Sequence, residues 1–214
     1  GPRTTSIPPA SSSVMLRPLD GAAKSVSVSP LAPGSGRGVT VLASLAAERA
    51  NSWDAEVGHV SVNLNVASMV SDAFERLTTY LAEQVNAELW VELRIPDILD
   101  NQGPFREAQR MLEKHNVRTM ADQVTPEALE QAEAAKLDLH GYKFVWDRRD
   151  KGLDSIREAV KTVTAQERPV VLCRVEEARG VKAAQTLDVR HFQGFYVDDL
   201  LAFGSMDEME EAAS

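Results

Sequence analysis

The stretch VRTMADQVTPEALEQAEAAKLDLHGYKFVWD (117–147) reads as strand, helix, strand. Its first segment, VRTMAD (117–122), is short and strand-like and closes on a carboxylate. Thr125 then supplies a hydroxyl cap, and Pro126 takes the first helical position, where its missing N–H costs nothing. The helix 125–137 hands over to a second strand, GYKFVWD (141–147). Two strands joined through a covering helix are the unit of a parallel sheet.

The alternation continues in both directions. Upstream lie a strand HVSVNLN (59–65), a helix SDAFERLTTYLAEQ (71–84) capped by Ser71, a strand LWVELRI (89–95) and a helix GPFREAQRMLEKH (103–115). VTVLASLAAERANSW (39–53) reads as a further helix before them. Downstream come a helix LDSIREAVKTVTAQ (153–166), a strand PVVLCRV (169–175), a helix EEARGVKAAQTL (176–187) and a strand HFQGFYV (191–197). At the front, VMLRPL (14–19) and SVSVSP (25–30) flank the turn signal Asp20-Gly21 and predict a hairpin. Eight strands, with helices between consecutive ones from the second onward, predict an α/β chain folded as a (β/α)8 TIM-like barrel. Its first strand is then antiparallel, in the N-terminal hairpin. Residues 1–13, rich in Pro, Ser and Thr, read as a flexible linker, 14–203 as the barrel domain and 204–214 as an acidic tail.

Composition excludes several classes. The chain has 214 residues, 43% hydrophobic and 26% charged, which is ordinary for a globular domain. Its net charge of −9 and lack of a basic run argue against nucleic-acid binding. Cys173 is the single cysteine, so no intrachain disulfide forms, which fits a reducing, cytoplasmic setting. No apolar run approaches ~18 residues, so this segment makes no direct membrane insertion. Gly1-Pro2 reads as a protease-cleavage scar, which leaves room for an upstream tether.

In a barrel of this kind the chemistry sits at the C-terminal ends of the strands. Period-two alternation turns Asn63, Glu92, Asp122, Lys143, Cys173 and Gln193 to the inward face. Asn63, Glu92 and Asp122 offer the hard oxygen donors that Mg²⁺ or Mn²⁺ prefers, and Lys143 could orient a water or a phosphate. Glu92 and Asp122 around Lys143 would equally make a satisfied ion cluster with no ligand. Spacing alone leaves both open. The four histidines show no metal-ligand spacing, and Cys173 without a nearby His reads as a small buried hydrophobe.

At these residues the chain resembles the EAL-domain family, bacterial phosphodiesterases of cyclic di-GMP. VSVNLN (60–65) looks like the strand with a metal-ligating Asn, here Asn63, and LWVELRI like the strand whose Glu binds metal, here Glu92. VRTMADQVT resembles the strand ending in two Asp residues, and YKF the one with a catalytic Lys, Lys143. VVLCRVEEA resembles the Ala-Glu-Gly-Val-Glu turn, ending on Glu176, and FQGFYVDDLL the closing strand with Gln193. The resemblance covers roughly 39–203 and implies the EAL type of barrel. Its departures imply loss of the reaction. The strand SVSVSP holds no acid where the family carries Glu-Ala-Leu, its following arginine has no equivalent, and the early segment is shortened. Gln123 replaces the second Asp, and Cys173 replaces the Glu of the later turn, with Arg174 on its Gly. Asn63, Glu92, Asp122, Lys143, Glu176 and Gln193 remain as relict site positions. Without those charges a two-metal clamp is not expected, so neither catalysis nor a metal or other cofactor is anticipated. The expected role is a non-catalytic protein–protein interaction or regulatory module of bacterial signalling, in motility, surface attachment or cell-pole organisation. The alternative is a non-catalytic cyclic di-GMP receptor, against which the missing signature strand and arginine weigh. Family members often pair, so a homodimer through the helix 125–137 or 176–187 is compatible.

Overall fold

The computed structural model describes residues 14–16, 22–24, 27–28, 59–72, 74–76, 78–79, 88–146 and 152–197. Nine strands occur among them: β1 Val14–Leu16, β2 Ala22–Lys24, β3 Ser27–Val28, β4 His59–Leu64, β5 Glu88–Arg94, β6 Arg118–Val124, β7 Gly141–Val145, β8 Val170–Cys173 and β9 His191–Gln193. β3 to β9 form one seven-stranded sheet in sequence order, every pair parallel. The sheet curls into a half-barrel, and β1 lies beside β9. The described helices are α1 Val66–Met69, α2 Ile95–Asp100, α3 Gln102–Lys114, α4 Pro126–Ala134, α5 Arg157–Ala165, preceded by a 3-10 turn at Gly152–Ser155, and α6 Ala178–Gln185.

The alternation along each strand builds two faces. Leu89, Val91 and Leu93 of β5, Ala121 of β6, Tyr142 and Phe144 of β7 and Leu172 of β8 face outward and pack with Phe105, Leu112, Leu129 and Val160 of the helices. The concave face carries a second, smaller cluster of Trp90, Met120, Val171 and Cys173. A Cβ at Gly141 would stand 3.0 Å from Met120 Sδ, so this glycine makes room for the thioether inside the curl. Below that layer the Arg118 guanidinium lies over the Trp90 ring, 5.4 Å from its centroid, and 2.7 Å from Glu88. Apolar packing and this small ion group fill the lower end, so the concave polar residues stand at the upper, C-terminal end.

The local signals for the helices are explicit. Thr125 Oγ1 accepts the Ala128 N–H at 3.2 Å, and Pro126 opens α4. Ser71 Oγ accepts the Phe74 N–H at 3.3 Å, the cap expected for the helical segment there. α2 was not foreseen. It is six residues long, too short for a periodic signal, and it carries Pro96 and Asp97 in its first turn. Asp97 Oδ2 also accepts the Val66 N–H at 2.7 Å and so ties α2 to α1.

Other expectations are corrected. The antiparallel hairpin joins β1 to β2, with Val14 opposite Lys24, rather than 14–19 to 25–30, and it stands outside the seven-stranded sheet. Ser27 and Val28 run parallel to β4. The alternating SVSV suggested one strand, whereas the β-poor Ala-Ala-Lys carries the return. The expected strand 191–197 ends at Gln193. Gly194 has φ 153, and Val197 N–H donates to Gly194 O at 2.9 Å, so the backbone turns helical. The apolar run HFQGFYV spans both elements, which periodicity cannot separate. The helix expected from Glu176 begins at Ala178. The helix 39–53, the linker 1–13 and the tail 204–214 lie outside the described residues. No helix among those described is long and apolar enough to cross a membrane.

Candidate functional site at the barrel mouth

The upper ends of β5 to β9 bring five side chains together. Glu92 on β5 and Lys143 on β7 form an ion pair, Oε2 to Nζ 2.6 Å, with both side chains about as buried as a core leucine, at 3% and 5% exposure. Lys143 Nζ also donates to Gln193 Oε1 on β9 at 3.2 Å, and Cys173 Sγ on β8 sits 3.6 Å from the same oxygen. The fifth is Asp122 on β6, half-buried and within electrostatic range of Lys143 and Glu92. Asn63 lies in register with Glu92 on the adjacent β4 and is partly buried. Glu176 falls on the exposed turn after β8.

Protonation follows from this packing. Burial pushes the Asp122 carboxyl above its ordinary range. Lys143 opposes that shift, Glu92 adds to it, and a hydrogen bond from the Gln123 backbone and the charge of Arg174 oppose it more weakly. Burial works against the Lys143 ammonium, but Glu92, the Cys173 sulfur and Asp122 outweigh it, so its pKa stands above the lysine norm. Burial drives the Cys173 thiol up to about 12, and the group is a neutral thiol at neutral pH, not a nucleophile.

Gln123 lies where β6 breaks register with β7. The pairing shifts between Ala121 and Val124, and Gln123 takes a left-handed backbone at φ 58. Its side chain turns to the outer rim, where Oε1 accepts from Arg94 Nε at 3.3 Å. Arg174, directly after β8, is also left-handed, at φ 59. The other non-glycine residues with positive φ, Asn116, Lys136, Glu167 and Asp188, follow the ends of helices, where such a cap is ordinary. Gln123 and Arg174 are the two at strand ends. The reading of the sequence did not single out Arg94. Its signal was a second charge in the run LWVELRI, two residues after Glu92 and on the same face of the strand.

Solved structures share this architecture. BlrP1 of Klebsiella pneumoniae, in a calcium and cyclic di-GMP complex, superposes with a TM-score of 0.65 at 14% identity over 86% of this chain. The FimX EAL domain of Pseudomonas aeruginosa, bound to cyclic di-GMP, gives 0.64 at 15% identity over 86% of this chain and 88% of its own. The fold is that of an EAL domain. LapD of Vibrio cholerae, an S helix-GGDEF-EAL protein bound to cyclic di-GMP, gives 0.65 at 11% identity over 87%. This chain spans about half of the BlrP1 and LapD structures, 54% and 52% of their lengths. No protein-family model matches the sequence, and no curated protein does. The likeness therefore covers the EAL barrel in its architecture, while the chemistry of the mouth stands on the residues themselves.

Proposed function

We propose that this EAL-like domain is catalytically silent and serves as a protein–protein interaction module in bacterial signalling. The observation that carries the reading is the 2.6 Å pairing of Glu92 with Lys143. A two-metal phosphodiesterase needs acids free to clamp both ions. Here Glu92 is neutralised by a buried ammonium, Asp122 is held above its normal pKa, and Gln123 faces Arg94. Asn63, Glu92 and Asp122 would be the donors for an ion, but the charge needed to hold two is spent within the protein. Among the described residues no three His, Cys, Asp or Glu side chains converge as metal ligands. The fit to a pair of divalent ions is poor, and no step is assigned to them. Asn63, Glu92, Asp122, Lys143, Glu176 and Gln193 are accordingly read as relict positions, of which Glu92, Lys143 and Gln193 now bind one another at the mouth.

A second reading, a non-catalytic receptor for cyclic di-GMP, draws on the similar structures that are complexes of that nucleotide. Titration calorimetry with cyclic di-GMP, with and without Mn²⁺, separates the two. The interaction reading expects no heat at high ligand concentration and a stoichiometric protein partner in affinity capture. Saturable nucleotide binding with no partner captured would replace it by the receptor reading.

A further inference from the structure

The chain carries 23 basic residues against 32 acidic ones, and half of the arginines described are matched to a carboxylate. Arg118, Arg157, Arg168, Arg179 and Arg190 each sit on an Asp or a Glu. Arg76, Arg94, Arg106, Arg110 and Arg174 are in no ion pair among the described residues, and of these Arg94 and Arg174 stand exposed at strand ends on the upper rim. Arg94 closes β5 and touches the neutral amide of Gln123, while Arg174 follows β8 and lies close enough to Asp122 to affect its charge. Phe195 is 75% exposed. It is held against the Arg174 turn, because Val175 N–H donates to Gln193 O and Tyr196 N–H donates to Val175 O, at 3.0 and 3.2 Å. A Cβ at Gly194 would collide with the Val175 backbone, which fixes that approach.

We propose that Arg94, Arg174 and Phe195 form a docking rim for an acidic, apolar segment of a protein partner, laid across the mouth of the barrel. The inference rests on the interaction reading above and gives it a surface and a partner chemistry. Arginine and aromatic side chains are the groups that anchor interfaces, and a guanidinium pairs with a carboxylate in a directed, two-pronged way. The backbone adds a separate argument. Arg174 holds a left-handed conformation in which glycine would sit without strain, and its side chain makes no ion pair within the described protein to compensate. An extended segment suits the rim better than a small ligand, which needs most of its surface enclosed, whereas these groups are exposed.

The test uses the whole chain and fluorescence anisotropy. The probes are a fluorescein-labelled peptide alternating glutamate and leucine, its glutamine–leucine counterpart, and unlabelled cyclic di-GMP as competitor. The acidic peptide is expected to bind, to weaken as salt rises, and to lose about tenfold in affinity with Arg94→Glu or Arg174→Glu. Phe195→Ala weakens it further, Arg110→Glu on α3 does not, and the glutamine peptide fails to bind. Arg174→Gly is the variant that removes the charge while relieving the backbone, so its loss of binding cannot be blamed on unfolding. Failure of the acidic peptide to bind, equal binding by the rim variants, or displacement by cyclic di-GMP would each overturn the proposal. Turnover of cyclic di-GMP alongside intact, rim-dependent peptide binding would overturn the interaction reading and leave the rim standing.

Discussion

Lys143 holds the mouth together. Its ammonium meets Glu92, Gln193 and the field of Asp122, so removing it leaves two carboxylates facing each other in a nearly closed site. Lys143→Met should cost about 3–5 kcal/mol in chemical denaturation, the range for breaking a buried pair on one side, and Glu92→Gln with it should recover part of that loss. His140 sets a pH dependence. Its Nδ1 accepts the Thr119 N–H at 3.2 Å, and burial lowers its pKa below 6.5. The unfolded chain binds the proton first as pH falls, so this stabilisation is complete above 6.5 and is lost as pH drops through the lowered folded value. The thermal midpoint should therefore fall on acidification from 6.5, and less so in His140→Gln. Asp122 acts the other way at lower pH. Its raised pKa means the folded state keeps the proton longer, so stability falls as pH rises from about 3.8 through the folded value. A flat midpoint below pH 6.5 in both proteins would show that His140 carries no such role.

At the scale of elements, the caps and turns are where sequence and structure agree best. Thr125 and Pro126 announce α4 in the sequence, and Thr125→Ala should lower stability by about 1 kcal/mol by leaving the Ala128 N–H without its acceptor. Gly194 is a sharper case. Its φ of 153 and the Val175 backbone beside it leave no space for a side chain, so Gly194→Ala should cost about 1–3 kcal/mol and loosen Phe195 as well. Equal denaturation midpoints for Gly194→Ala and the parent would contradict that reading. The strands β4 to β8 were legible because each alternates between an outward apolar residue and an inward one. The closing strand was over-extended, because Phe195, Tyr196 and Val197 continue its apolar run into a helical turn. The hairpin was misplaced because Ala22–Lys24 has no strand signal of its own and is set by its pairing with β1.

For the whole molecule, the order of strands and the inward face were readable from periodicity, and the curled parallel sheet follows from them. Which inward residues share one cluster was partly readable. Glu92, Lys143 and Gln193 come from three strands, and the sequence carries their alternation but not their distances. The left-handed turn at Gln123, which sends its side chain to Arg94, has no signal in the sequence because it depends on a register slip against β7. A barrel whose mouth is neutralised from within should leave the phosphodiester of cyclic di-GMP intact. The most direct measurement incubates the chain with cyclic di-GMP and Mn²⁺ and follows the linear dinucleotide by chromatography. No product above the protein-free blank is expected, at any metal concentration. Product that accumulates with enzyme concentration, and that disappears in Lys143→Ala, would contradict it.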